Sequence, residues 1–217
     1  MITVEKHLAV MDDGFEINNY IVTDVDTGDV AIVDPSLPDE KFLEKLSGKK
    51  VKYVLLTHGH FDHICGAKMV KDNTGAKVVI HKEDEIMLHE ADKNEFDVNC
   101  QGYPFPEVDA DVLTEDGTEL MLGNTKITVM HTPGHSMGGV CYLFKEDLVM
   151  FSGDTLFRLT AGRADLYGGN GRQELRSLAA IGELEGNYKI YPGHMEDTTL
   201  DFERENNRYM RTRFRKK

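Results

Sequence analysis

The run His58-Gly59-His60-Phe61-Asp62-His63 limits what this chain can become more than any other stretch of it. With nine histidines in the chain, an H-x-H-x-D-H pattern arises by chance on the order of once in a thousand such sequences. Neutral imidazole and carboxylate are the usual ligands of zinc and related cations. His58 and His60 stand two apart in an extended turn, so both side chains point one way. Asp62 and His63 open the helix that follows, where unpaired backbone N–H groups favour an anion. One short loop thus presents two pairs of ligands. The apolar run Val51–Leu56 delivers it, reading as a buried strand that ends at Thr57-His58-Gly59.

Three more ligand candidates occupy the same kind of place. His135 lies in Thr132-Pro133-Gly134-His135, Asp154 in Ser152-Gly153-Asp154-Thr155, and His194 in Pro192-Gly193-His194. Each follows a glycine just past an apolar strand, where the backbone can approach a site closely and loops carry function. A lone histidine after a strand is usually a surface or core residue. Three such residues beside a His-rich loop point to a metal centre. Two ions roughly 3.5–4 Å apart can share a carboxylate, and a cation lowers the pKa of water toward about 7, which supplies a nucleophile without a serine or cysteine.

The rest of the chain places these loops. Strands are expected at Ile17–Thr23 and Asp29–Val33, joined by the turn Asp26-Thr27-Gly28, and at Lys77–Ile80. More follow at Glu119–Leu122, Lys126–Met130, Val140–Phe144, Leu148–Phe151 and Tyr188–Tyr191. Helices are expected over about 38–46, 62–71, 82–91, 171–184 and 196–211. In the fourth of these, Leu175, Leu178 and Ala179 share a face and Asn170 with Gln173 forms a capping pair. Sheets in both halves with helices between them predict sheet layers covered by helices, in the α/β (α+β) class. Residues 1–217 read as one domain. The polar segment 87–108, with Phe96, Tyr103 and Phe105, is either a lid or a long connection.

Charge and composition exclude other classes. The net charge of −13 argues against a nucleic-acid partner, and the basic tail Arg211–Lys217 is too narrow to reverse that. No apolar stretch is long enough for a membrane helix. The start of the chain has no signal-peptide layout, and the three cysteines form no disulfide framework. A cytoplasmic location is expected.

The motifs resemble the metallo-β-lactamase superfamily, and most nearly its glyoxalase II-like (hydroxyacylglutathione hydrolase-like) branch. Thr132-Pro133-Gly134-His135-Ser136, Gly153-Asp154-Thr155-Leu156-Phe157, Gly162-Arg163 and Tyr191-Pro192-Gly193-His194 carry the resemblance. It implies an αββα sandwich, two β-sheets flanked by helices, with the metals in a cleft at one edge. It also implies that His58, His60 and His135 hold one ion, that Asp62, His63 and His194 hold the other, and that Asp154 bridges them. Asp62 and Asp154 are the carboxylates assigned to catalysis. The implied cofactor is a pair of divalent ions, zinc first, with iron or manganese as alternatives. The implied activity is hydrolysis of a small acyl thioester. A lactonase or other ester hydrolase, or a mononuclear-iron persulfide dioxygenase, are the alternatives. Penicillin cleavage is disfavoured, because Asp154 stands where those enzymes usually place a cysteine or histidine.

Other residues take lesser parts. By resemblance Asp34 orients a ligating histidine, while Arg163 and Tyr167 line the cleft as substrate contacts; a salt bridge from Arg163 to Asp165 is the plainer alternative. His131 is expected beneath the site, off the metals, and Cys65 as a buried structural thiol. His7, His81 and His89 have no partner pattern. The better-known glyoxalase II enzymes carry an added C-terminal helical domain that grips glutathione. Only 23 residues (217 − 194) follow His194 here, so affinity for the glutathione part is expected to be weak.

Overall fold

The computed structural model describes residues 1–11, 14–37, 39–100 and 104–210. The expected helix start at Pro38, the aromatic Tyr103 and the basic tail from Arg211 lie outside the described residues.

The first half of the chain builds a six-stranded sheet in the order β1 (Ile2–Val10), β2 (Glu16–Asp24), β3 (Asp29–Val33), β4 (Lys50–Leu55), β5 (Lys77–His81), β6 (Val112–Thr114). The first three strands are antiparallel, whereas β3 through β6 are parallel and need crossovers. Helices α1 (Glu40–Leu46), α2 (Phe61–Ile64), α3 (Ala67–Thr74) and α4 (Phe96–Asn99) fall in these connections. The second half builds another six-stranded sheet, ordered from the edge as β14 (Thr198–Thr199), β13 (Lys189–Pro192), β10 (Val149–Gly153), β9 (Val140–Phe144), β8 (Thr125–His131) and β7 (Glu119–Leu122). A small hairpin, β11 (Leu156–Phe157) with β12 (Thr160–Ala161), and helices α5 (Gly171–Gly182) and α6 (Leu200–Asn206) complete the elements.

Strand alternation divides the apolar side chains into layers. In the first sheet Ile21, Val30, Ile32, Val78 and Ile80 turn outward and pack with Phe42 and Leu46 of α1 and with Ala67 and Val70 of α3. Their neighbours Tyr20, Val22, Ala31, Val33, Leu55 and Val79 face the other way and meet Ile127, Val129, Tyr142, Phe144, Phe151 and Tyr191 of the second sheet. On the far side of that sheet Cys141, Leu143, Met150 and Ile190 pack under Leu178, Ile181 and Leu200. Both faces of the central strands are buried, so they read as continuous apolar runs. The architecture is the expected αββα sandwich.

Several local expectations need correction. The helix expected over 62–71 is two pieces, because Gly66 N is drawn out to donate to Pro35 O at 2.8 Å. The expected helix over 82–91 is only a short 3₁₀ turn, Glu85–Leu88, because Asp84 hydrogen-bonds elsewhere. The last helix begins four residues later than expected, at Leu200, after the short strand β14 and a Thr199 cap. Asn170 does cap α5, accepting from Arg172 N and Gln173 N, but Leu175 is half exposed and Glu174 takes the inward place beside Leu178. Strands β1 and β6, at the two edges of the first sheet, were not expected. Within the segment 87–108, Phe96 packs with Phe61 and Cys65 beside α2, and Asn94 O accepts from Phe61 N at 3.0 Å. Among the described residues no helix is long and apolar enough to cross a membrane.

Candidate metal centre

Four strands from both sheets end at one edge of the sandwich, and the ligand candidates lie just beyond them. The loop after β4 carries His58, His60, Asp62 and His63. It is pinned to the second sheet, since Val140 N donates to Thr57 O at 2.8 Å and Tyr142 Oη donates to Leu56 O at 2.8 Å. The loops after β8, β10 and β13 carry His135, Asp154 and His194. All seven side chains converge. One ligand atom each from His58, His60 and His135 lies within 4.8 Å of the others, and the same holds for Asp62, His63 and His194, and for His58, His63 and Asp154.

The outer nitrogens of the imidazoles are held, which fixes the inner ones. His63 Nδ1 faces Asp34 Oδ2 at 3.0 Å, His135 Nδ1 faces Arg163 O at 2.7 Å, and His194 Nδ1 faces Glu16 O at 2.6 Å. Each partner is an acceptor, so each Nδ1 carries a proton and each Nε2 is the nitrogen turned inward, the one that would meet a cation. Thr57 Oγ1 donates to Asp34 Oδ2 at 2.6 Å and so accepts from His58 Nδ1 at 3.1 Å, leaving His58 Nε2 bare. His60 is arranged differently, with Nδ1 turned inward to 2.8 Å from His135 Nε2. Asp34 takes the position expected of it. Its backbone φ of 48° lies in the left-handed region, which Asp tolerates, and this aims its carboxylate at Thr57 N and His63 together.

The donor set fits cations. His58 Nε2, His60 Nε2 and Asp154 Oδ1 are buried and have no hydrogen-bond partner among the described residues, an arrangement that ordinarily costs free energy. The two halves differ in charge. Burial, reinforced by neighbouring imidazoles, pushes His58 well below its usual range and His60 down to about 3, so both stay neutral, as a metal ligand must. In the other half burial opposes charge on the imidazoles, yet Asp62, Asp154 and Asp34 outweigh it at His63 and raise it to about 9. Burial likewise opposes charge at His194, but Asp154 and Asp62 raise it to about 11. Burial also works against the Asp154 carboxylate, which His63 and His194 nevertheless hold well below the carboxylate range. Protons on His63 and His194 there balance the carboxylates that a cation would otherwise neutralise. Asp154 faces both halves, with Oδ1 at 3.4 Å from His63 Nε2 and Oδ2 at 3.5 and 3.7 Å from His194 and His135 Nε2.

Arg163 lies at the rim. Its Nε and Nη2 donate to Asp165 at 2.7 and 2.8 Å, the plainer of the two expected arrangements. The side chain is 62% exposed, while its backbone carbonyl serves His135. Tyr167 stands nearby under Lys93, whose Nζ is 5.6 Å from the ring centre. Cys65 is buried and its thiol is pushed up by that burial. His131 is off the ligand groups, stacked on His81 at 4.0 Å and 14°. These two rings and Glu83 also gather possible ligand atoms, but parallel rings keep their lone pairs from converging, and His131 Nε2 is 2.9 Å from Met137 O.

Sequence reasoning missed two buried carboxylates. Asp84 follows β5 as the ligands follow their strands, so position alone could have marked it. Glu174 is pushed up to about 8 by burial, with Asp154 adding to the effect, although the N–H groups of His135 and Gly162 partly offset it. Nothing in the helical pattern of α5 distinguishes it from a solvated glutamate.

Residues 12–201 match the metallo-beta-lactamase superfamily, and the chain belongs to that family. Members of that superfamily are mostly metal-dependent hydrolases, and the His and Asp donor set of this chain fits metal binding. The chain is 37% identical to an uncharacterized protein, ML0493, of Mycobacterium leprae, over 90% of this chain and 94% of that one. It is 32% identical to a hydroxyacylglutathione hydrolase of Pelagibacter ubique, over 81% of this chain and 65% of that enzyme. Among solved structures it resembles BLEG-1, a B3 metallo-beta-lactamase, with a TM-score of 0.86 and 30% identity, over 96% of this chain and 99% of that one. It also resembles TTHA1623 in a di-iron-bound form, with a TM-score of 0.80 and 29% identity, over 94% and 99% of the two chains.

Proposed function

We propose that this protein is a binuclear metal-dependent hydrolase that cleaves small acyl thioesters. The observation that carries the reading is the pair of ligand groups on either side of Asp154, one of three imidazoles and one of a carboxylate with two imidazoles. His58, His60 and His135 would hold one ion and Asp62, His63 and His194 the other, with Asp154 available to both. A bound pair of divalent cations would supply an acidified water and Lewis acidity for the carbonyl and the leaving sulfur. The chain's own residues do the rest. Asp34 keeps a proton on His63 Nδ1, Glu16 O keeps one on His194 Nδ1, and Arg163 O keeps one on His135 Nδ1. Likeness to the Pelagibacter hydroxyacylglutathione hydrolase supports a thioester substrate. Zinc is the proposed metal; the di-iron form of TTHA1623 keeps iron as the alternative. Arg163 and Tyr167 are the proposed substrate contacts, and an anionic group must compete with Asp165 for Arg163.

A substrate panel tests this. Metal-loaded protein should release free thiol from S-lactoylglutathione and from shorter 2-hydroxyacyl thioesters. A lactone, a β-lactam (prompted by the likeness to BLEG-1) and a persulfide with an oxygen electrode run in parallel. Thioester turnover at least tenfold above the other arms is expected. Inert thioesters beside an active lactone would move the protein to the lactonases, and oxygen uptake with the persulfide would move it out of the hydrolases.

A further inference from the structure

Asp84 is fully buried yet belongs to neither ligand group. Its Oδ2 accepts from Gly59 N at 3.1 Å and from Ser136 Oγ at 2.6 Å, and its Oδ1 accepts from Gly138 N at 2.6 Å. Gly59 stands between His58 and His60, while Ser136 directly follows His135. One carboxylate therefore ties the loop after β4 of the first sheet to the loop after β8 of the second. These are the two loops that bring the three imidazoles together. Asp84 is itself anchored, with its N–H donating to His81 O and its carbonyl accepting from Met87 N, each at 3.0 Å. The close approach depends on residue 138 being glycine: a Cβ there would lie 2.6 Å from Asp84 N and 2.8 Å from Asp84 Cγ. The other ligand group has different supports, Asp34 behind His63 and Glu16 O behind His194.

We propose that Asp84 is a positioning residue that sets the spacing of His58, His60 and His135, and so the affinity of that half of the centre alone. This rests on the binuclear reading above. Hydrogen bonds to an ionised acceptor are about twice as strong as neutral ones, and loss of an outer partner of a metal ligand ordinarily costs on the order of 10–100-fold in affinity.

The test is a zinc titration of metal-stripped protein against a chromogenic chelator, with His58→Ala and His194→Ala marking which equivalent belongs to which half. Asp84→Ala should bind the three-imidazole equivalent on the order of 10–100-fold more weakly and leave the other within about threefold. Ser136→Ala, which removes one of the three donors, should move the same equivalent less. Gly138→Ala should reproduce the Asp84→Ala pattern with the carboxylate still present. Thermal melts of the stripped proteins show which variants are folded; if Asp84→Ala is not, Asp84→Asn and Ser136→Ala decide by the same criterion. A folded variant in which both equivalents weaken alike, or neither does, overturns the proposal while the binuclear reading stands. A wild-type protein that binds fewer than two equivalents overturns the binuclear reading and this proposal with it.

Discussion

Asp154→Ala is expected to bind at most one metal equivalent and to lose activity by on the order of 10³-fold, about 4 kcal/mol in the barrier. Asp154 lies between the ligand groups, within 3.4 to 3.7 Å of His63 and His194 of one and of His135 of the other. Without it the two groups keep five imidazoles and Asp62 but share no carboxylate. The variant also removes a negative charge that raises His63 and His194, so those imidazoles lose part of their affinity for a proton or a cation. Elemental analysis and thioester kinetics on the same preparation read both effects. Two retained equivalents with activity within tenfold of wild type would show that the bridge lies elsewhere.

Gly193→Ala should do comparable damage through space alone. A Cβ at residue 193 would lie 2.3 Å from Asp154 Oδ1 and 2.5 Å from His63 Cε1, in the middle of the ligand cluster. The added methyl forces either the carboxylate or the imidazole away. Overpacking of this kind costs roughly 1–3 kcal/mol of stability, which a domain with a core this extensive should survive. The variant is expected to fold, as a melting curve would show, and to lose most of its metal and its turnover. A folded Gly193→Ala protein with full metal content would mean that His63 and Asp154 are not ligands as arranged here.

The sequence made the central strands and the ligand loops readable for one physical reason. Strands buried on both faces, such as Val51–Leu56 and Val140–Phe144, are continuous apolar runs, and a polar His or Asp just past a glycine stands out against them. Strand β1 lacks that signal, because most of its residues are exposed and charged ones interrupt it. Strand β6 is three residues at the opposite edge. Helices failed where tertiary hydrogen bonds override local preference. Asp84 leaves the helical path of its segment to reach Gly59, Ser136 and Gly138, and Gly66 N leaves it to reach Pro35 O. Both partners are distant in sequence, so no local pattern announces them. The ligand types were legible because metal chemistry demands particular side chains. Their supports, the carbonyls of Arg163 and Glu16, are backbone groups that every residue owns, and only the fold selects them.

The central claim is tested most directly by counting metal and activity together on the wild-type protein. Protein stripped with a chelator and reloaded with zinc or iron should take up two equivalents. Thioester hydrolysis should be absent from the stripped form and return in step with the second equivalent. Full activity in the stripped protein, or at a single equivalent with no further gain, would contradict a binuclear hydrolase.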